Sequence, residues 1–421
     1  MNKKLLFGLL LAGLIFVLGA GMAYAGPSPT DGNSQSTGSP QQVFETALFG
    51  LGEVDLSTLG VSPTALLGVG PLLTPTSATD GMLIVDDDGL DCPNRNYPTI
   101  QLAVDNAQPG DKIKVCRGTY IEQVTIPAGK DGLTLFSEGA FQAIIKAPPV
   151  MVDEKAIVRV SGAHNVTIRH FTITGPGGTT CHSIEYGVRV DNSGSALITD
   201  NHITQIRDVG LSGCQNGIAV DIGRVSGGAV GTGTVVHNLI DNYQKGGVVV
   251  SNTGSSAEVA YNEVVGIGPT GSIAQNGIQV SGGAQADIHH NKVSRNLYTT
   301  AGTEATGILV ISQPTTRVHH NDVFMNNGGI SLCDVSNTAE VSYNNTHNNN
   351  FGVYAYGSSS GCPLTSENLI AYNKAFENAP FDCIDETTGT HNPPANVADE
   401  WLKDLGRMEN KPGLCKQAGP Q

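Results

Sequence analysis

The residues most able to do chemistry come in pairs. ADIHHNKVSRN spans 286–296 and TRVHHNDVFMN spans 316–326, so His289-His290 and His319-His320 recur thirty residues apart. Imidazole is a common metal ligand and a zinc site takes three or four protein ligands, so one ring from each pair would make a site waiting for its third ligand. A second candidate is the acidic run Val85-Asp86-Asp87-Asp88-Gly89, whose oxygens suit Ca²⁺. It lacks the spacing and terminal Glu of a complete calcium loop, so a turn before the first strand is the simpler expectation. Whether either group is a site depends on the elements that hold it.

The chain opens MNKKLLFGLLLAGLIFVLGAGMAYAG, with Lys3 and Lys4 ahead of an apolar run and the triplet Ala23-Tyr24-Ala25 behind it. This is the pattern of a secretory signal peptide over 1–25, and it predicts a secreted protein, extracellular or periplasmic. No later stretch is long and apolar enough for a membrane span. The eight cysteines fit an oxidising compartment, and pairing between sequence neighbours is the simplest expectation. That gives Cys92 with Cys116, Cys181 with Cys214, Cys333 with Cys362 and Cys383 with Cys415. A formal charge of −15 argues against nucleic acid as a partner, and against polyanions unless a basic patch or a cation intervenes.

Glycine supplies 53 of 421 residues, and part of it is periodic. Gly187, Gly217, Gly247, Gly277 and Gly307 open the words GVRVDN, GIAVDI, GVVVSN, GIQVSG and GILVIS; GISLCD and GVYAYG follow at Gly329 and Gly352. Each has a companion of the form apolar-x-x-Asn-x-apolar, with Asn at 201, 238, 262, 291, 321, 344 and 373. Paired strand words recurring seven times predict the coils of a parallel β-solenoid. Asn tolerates a left-handed backbone, so its column predicts one tight bend repeated in every coil.

These words and turns resemble the repeats of right-handed parallel β-helix proteins of the pectin-lyase-like superfamily. YPTIQLAVDNAQPGDKIKVCRGTYIEQVTI at 97–126 is similar to the amino-terminal unit of pectin methylesterases, in which a short helix caps the coil stack. The residues agree with that likeness: Thr99 suits an N-cap, Ile100, Ala103, Val104 and Ala107 form a helical apolar stripe, and Pro109-Gly110-Asp111 ends it. The expected organisation is a linker over 26–80, the cap and first coils over 81–145, β-helix repeats over 146–380 and a disulfide-tied cap over 381–421. A monomer is expected.

Strand alternation sends the valines of GVRVD inward and Arg189 and Asp191 outward. Carried through the glycine words, one outward column reads Arg159, Arg189, Ala219, Val249, and the next Ser161, Asp191, Asp221, Ser251. Long loops before the words add His182, Glu185, Arg207, Asp208, Arg295, Tyr298 and Glu304 as flanking groove residues. The resemblance implies a polysaccharide partner lying along this wall. Arg159 or Arg189 would serve as base or uronate clamp, and Asp191 and Asp221 as Ca²⁺ ligands or a carboxylate pair. Ca²⁺ is thus the one cofactor left open. The same charges also suit a solvated face with cross-strand pairing.

The resemblance stops short of an activity. The polygalacturonase set NTD, DD, GHG and RIK is missing, as are the GDxDFIFG stretch of pectin methylesterases and the DPHE word of alginate epimerases. Two functions therefore compete: binding and processing of a polysaccharide by a lyase, epimerase, hydrolase or esterase, and a non-catalytic adhesion or structural solenoid. The His pairs fall into the repeat. His290 belongs to the column His170, Asp200, His237, Tyr261, His290, His320, Tyr343, Tyr372, which predicts a stack of rings at the bend and assigns no metal set.

Overall fold

The computed structural model describes residues 81–417. The proposed signal peptide and the linker over 26–80 lie outside the described residues. Each complete coil contributes one strand to each of three parallel sheets, which form the walls of the β-helix. The glycine words build the first wall, ten strands from Val124–Pro127 to Phe381–Asp385. The second wall runs from Met82–Val85 to Glu400–Leu402 and the third from Gly118–Ile121 to Cys415–Gln417, each with twelve strands. Coils therefore continue through the disulfide-tied segment 381–417. Among the described residues no helix is long and apolar enough to cross a membrane.

Alternation fills the interior. Val188, Val190, Val220, Val248, Val250, Ile278 and Val280 of the first wall are fully buried among residues such as Ile198 and Val259 of the second and Ile203 and Val264 of the third. The amino end is closed by the helix Ile100–Asn106. Thr99 Oγ1 accepts from Leu102 N at 3.3 Å, and Ile100, Ala103 and Val104 are buried against the first coils. Glu122 also caps this helix by accepting from Ile100 N and Gln101 N, both at 2.9 Å. The four disulfides join the sequence neighbours named above, each closing a loop about one coil long. On loop-closure entropy alone, each such link stabilises by about 3–4 kcal/mol.

The bend between second and third walls differs from the expectation. The left-handed residue is the one before each Asn: Asp200, His237, Tyr261, His290, His320, Tyr343 and Tyr372, together with His170 before Phe171, all have φ between 54° and 68°. The Asn side chains are instead buried rungs of a ladder. Phe171 N donates to Asn201 Oδ1, Asn201 N to Asn238 Oδ1, and so on through 262, 291, 321, 344 and 373 at 3.0–3.1 Å. The ladder ends at 2.8 Å on Asp404 Oδ1. Each Nδ2 also donates to the preceding coil, as from Asn291 to Val259 O at 2.8 Å. The column thus satisfies backbone groups that the bend would bury unpaired.

Candidate functional site

The first wall gathers the predicted charges into one cluster, with a register that the glycine spacing conceals. Arg189 pairs with Arg159 on one side and with Asp221 on the other. The residue aligned with Gly187 and Gly247 is Ala219, because Gly217 sits two positions early with φ +76°. Asp221 therefore belongs to the Arg159–Arg189 column, and the expected placement of Ala219 beside Arg189 is corrected. The coils on either side are 32 and 28 residues long, as counted from Arg189 to Asp221 and from Asp221 to Val249.

These outward residues are nonetheless buried: Arg189 is 3% exposed, Asp191 1% and Asp221 2%. Arg159 grips Asp191 through Nε and Nη2 at 2.9–3.2 Å, and Arg189 Nε lies 2.9 Å from Asp191 Oδ2 and 3.9 Å from Asp221 Oδ2. Glu154 closes on Arg189 Nη1 from the surface, and Tyr186 stacks under its guanidinium at 4.8 Å. Burial pushes the Asp221 carboxyl up to about 7; Arg189 and Arg224 oppose the shift and Asp191 adds to it. A perturbed carboxyl beside a guanidinium is the kind of pair that acid–base chemistry uses. As a Ca²⁺ site the pair fits poorly, because Asp191 commits its oxygens to two guanidiniums.

The predicted loop residues do not converge on this cluster as one groove. His182 Nδ1 meets Glu185 Oε1 at 2.7 Å near its edge. Asp208 is a buried staple between loops, bonded by Ser183, Asn216 and Gln244. Burial alone would raise its carboxyl, but those hydrogen bonds outweigh it and hold it below the ordinary value. Arg207 is half-buried, with Nε lacking a hydrogen-bond partner. Arg295 is exposed beside Asp241 and Asn242, and Tyr298 is half-buried, its N donating to Asn327 Oδ1. Glu304 accepts from Tyr356 Oη at 3.0 Å, and burial pushes it up to about 7. Tyr354, beside Tyr356, is six strands from Arg189, about 29 Å at the spacing of β-strands.

Sequence reasoning missed three partners. Glu154 lies in a loop without period, Arg224 follows a strand end, and Tyr186 sits one residue before its glycine word, outside the alternation used to read the wall. It also missed a trough of about 710 Å³ on the second wall. Its floor is the outward column Thr234, Glu258, Asp287, Arg317, Glu340, in register across five coils. Arg317 lies 3.6 Å from Asp287 and 3.9 Å from Glu340. Serines and threonines flank the column, and stacked His289 and His319, their centroids 5.0 Å apart, bond Glu258 and Asp287. Alternation carried two residues back from His289 and His319, to Asp287 and Arg317, would have exposed this column.

The right handed beta helix region family model matches residues 113–293 and 270–395, more than half of the chain, and the chain belongs to that family. No curated protein matches it. Among solved structures, a GH136 lacto-N-biosidase from Eubacterium ramulus matches at 15% identity and TM-score 0.54, over 80% of this chain and 66% of that one. Pectate lyase Pel9A matches at 13% and 0.45, over 82% and 84%, and carrot pectin methylesterase at 14% and 0.32, over 80% and 85%. The chain spans about two thirds of the length of the lacto-N-biosidase and of XylC, solved with xylose. The family match, with the likeness to the lacto-N-biosidase at 15% identity, establishes the right-handed parallel β-helix and nothing finer.

Proposed function

We propose that this is a secreted β-helix protein that binds a polysaccharide along the outside of its coils, with the second-wall trough as the seat. The observation that carries the reading is the trough itself, open, about 710 Å³, and floored by carboxylates and a guanidinium among hydroxyls. Sugar hydroxyls both donate and accept, so the carboxylates accept hydrogen bonds from them and Arg317 donates to them. The lining holds Glu258, Asp287, Glu340 and Glu367 against Arg317, and the chain carries −15, so the favoured ligand is a neutral rather than an anionic glycan. The four disulfides suit the oxidising compartment in which such polymers are met.

A panel of neutral and acidic polysaccharides, titrated with and without Ca²⁺, tests this. Binding of a neutral polymer that is lost in Arg317→Ala, with unchanged melting, supports the trough; no binding, or binding only to polyanions, ends the reading. A second reading, polysaccharide processing at Arg159, Arg189, Asp191 and Asp221, rests on the raised carboxyl of Asp221 beside Arg189. The same samples are read for reducing ends and for ultraviolet absorbance of unsaturated product. Turnover abolished by Asp221→Asn supports it, and turnover that survives Arg189→Ala removes it. Binding without turnover favours the adhesion module.

A further inference from the structure

The acidic run, expected before the first strand, instead follows that strand at Met82–Val85 and reads Asp86-Asp87-Asp88-Gly89-Leu90-Asp91. It folds so that one oxygen each of Asp86, Asp88 and Asp91 lies within 4.8 Å of the other two. Oxygens bound at about 2.3–2.6 Å to one Ca²⁺ stand at most about 5 Å apart, so this spacing fits a shared shell. Exposed carboxylates alone would carry little weight, but Asp86 is different. It is 0% exposed; its Oδ2 accepts from Cys92 N at 2.6 Å, while Oδ1 is buried with no hydrogen-bond partner. A buried anionic oxygen without a donor is strongly unfavourable. Among the described residues none of the three carboxylates forms an ion pair. Arg95 packs over Gly89, but its own Nη1 has no acceptor.

We propose that Asp86, Asp88 and Asp91 bind one Ca²⁺, the ion meeting the free oxygen of Asp86. An all-oxygen donor set selects Ca²⁺ or Mg²⁺ over zinc, and three carboxylates on a six-residue turn suit the irregular shell that Ca²⁺ accepts and Mg²⁺ does not. The site ties the first strand to Cys92, whose disulfide to Cys116 reaches the next coil. The ion therefore fastens the amino end of the stack, far in sequence from the trough.

The full secreted chain, stripped of metal, is titrated with CaCl₂ and separately with MgCl₂ by calorimetry, and its melting is followed in CaCl₂ and in chelator. One Ca²⁺ per chain is expected, with a dissociation constant on the order of 10⁻⁴–10⁻³ M as in extracellular modules, and a melting temperature raised by Ca²⁺. Asp88 and Asp91 are exposed, so an Asp88→Asn, Asp91→Asn double variant folds. It is expected to lose the Ca²⁺ heat and the Ca²⁺-dependent rise while melting like wild type in chelator. Absence of Ca²⁺ heat in the wild type, or its persistence in the double variant, overturns the proposal. The double variant decides the matter even where Asp86→Asn fails to fold.

Discussion

Asp221 stands beside Arg189 in the first wall, two residues away from where the thirty-residue glycine spacing would put it. The offset decides the electrostatics. Had Asp221 aligned with Asp191, two buried carboxylates would have faced each other across one strand spacing. As folded, Arg189 Nε lies within 3.9 Å of both, and Arg159 holds the far side of Asp191.

Removing that guanidinium leaves two buried carboxylates short of a partner. Arg189→Leu is expected to lose about 3–5 kcal/mol of stability at neutral pH, the cost of breaking a buried pair from one side. Glu154, whose side chain is 41% exposed, is a weaker member, and Glu154→Gln is expected to cost no more than about 1 kcal/mol. Urea unfolding of both variants checks the order. Equal losses would show that the cluster is held by the surface carboxylate rather than by the buried pair.

The Asn ladder makes a paired prediction because its last rung is an acid. Asp404 Oδ1 accepts from Asn373 N and Nδ2, but Oδ2 is buried without a partner, and burial pushes the carboxyl up to about 7. Its folded pKa lies above the unfolded 3.8, so its contribution is most favourable below pH 3.8 and is lost as pH rises towards 7. Asn at 404 keeps the accepting oxygen and carries no charge. Asp404→Asn is therefore expected to gain on wild type progressively between about pH 4 and 7, with no further gain above. Asn291→Ala, in mid-ladder, strips the acceptor from Asn262 N and Nδ2 and is expected to cost about 2–4 kcal/mol at any pH. Urea midpoints across pH 4–8 measure both; a flat difference for Asp404→Asn would refute the buried charge.

The solenoid was legible because its signals repeat. Alternating valines, Asn turns and paired cysteines each recur, so chance agreement at one coil is corrected by the next. The capping helix was legible locally, from Thr99 and the stripe Ile100, Ala103, Val104. What stayed hidden lies in single events. Gly217 is a left-handed residue two positions early, and the coil lengths of 32 and 28 residues average to the period that masks it. Glu154 and Tyr186 reach the cluster from positions with no period. The second ladder, Asn296, Asn326, Asn349 and Asn378 ending on Asp382, repeats over only four coils and lies five residues beyond the first Asn column, which masks it in the sequence. The trough stayed hidden for a related reason: its floor lies two residues before the outward His289 and His319, and the reading of the Asn words stopped at the column nearest the bend.

The ring column at the bend yields the last prediction. His290 stacks on Tyr261 and His320 with centroids 4.9 and 5.1 Å away, and its Nδ1 lies 3.0 Å from His289 Nδ1. That contact needs one nitrogen to donate and the other to accept, so protonating both rings breaks it. Burial, followed by the charges of His289, His320 and His319, holds the His290 pKa below the ordinary 6.5. A lowered folded pKa contributes stability that is fully present above the unfolded 6.5 and is lost as pH falls from there through the folded value. Tyr261 and Tyr343 occupy the same left-handed position, so Tyr at 290 fits the backbone and keeps the stack. His290→Tyr is expected to match wild type at pH 8 and exceed it at pH 5. His290→Ala loses both stacking contacts, about 1–3 kcal/mol in total, at pH 8 as well. Thermal melts at the two pH values separate the cases. A His290→Tyr variant that weakens at pH 8, or gains nothing at pH 5, would mean that the pair serves some purpose other than setting the turn.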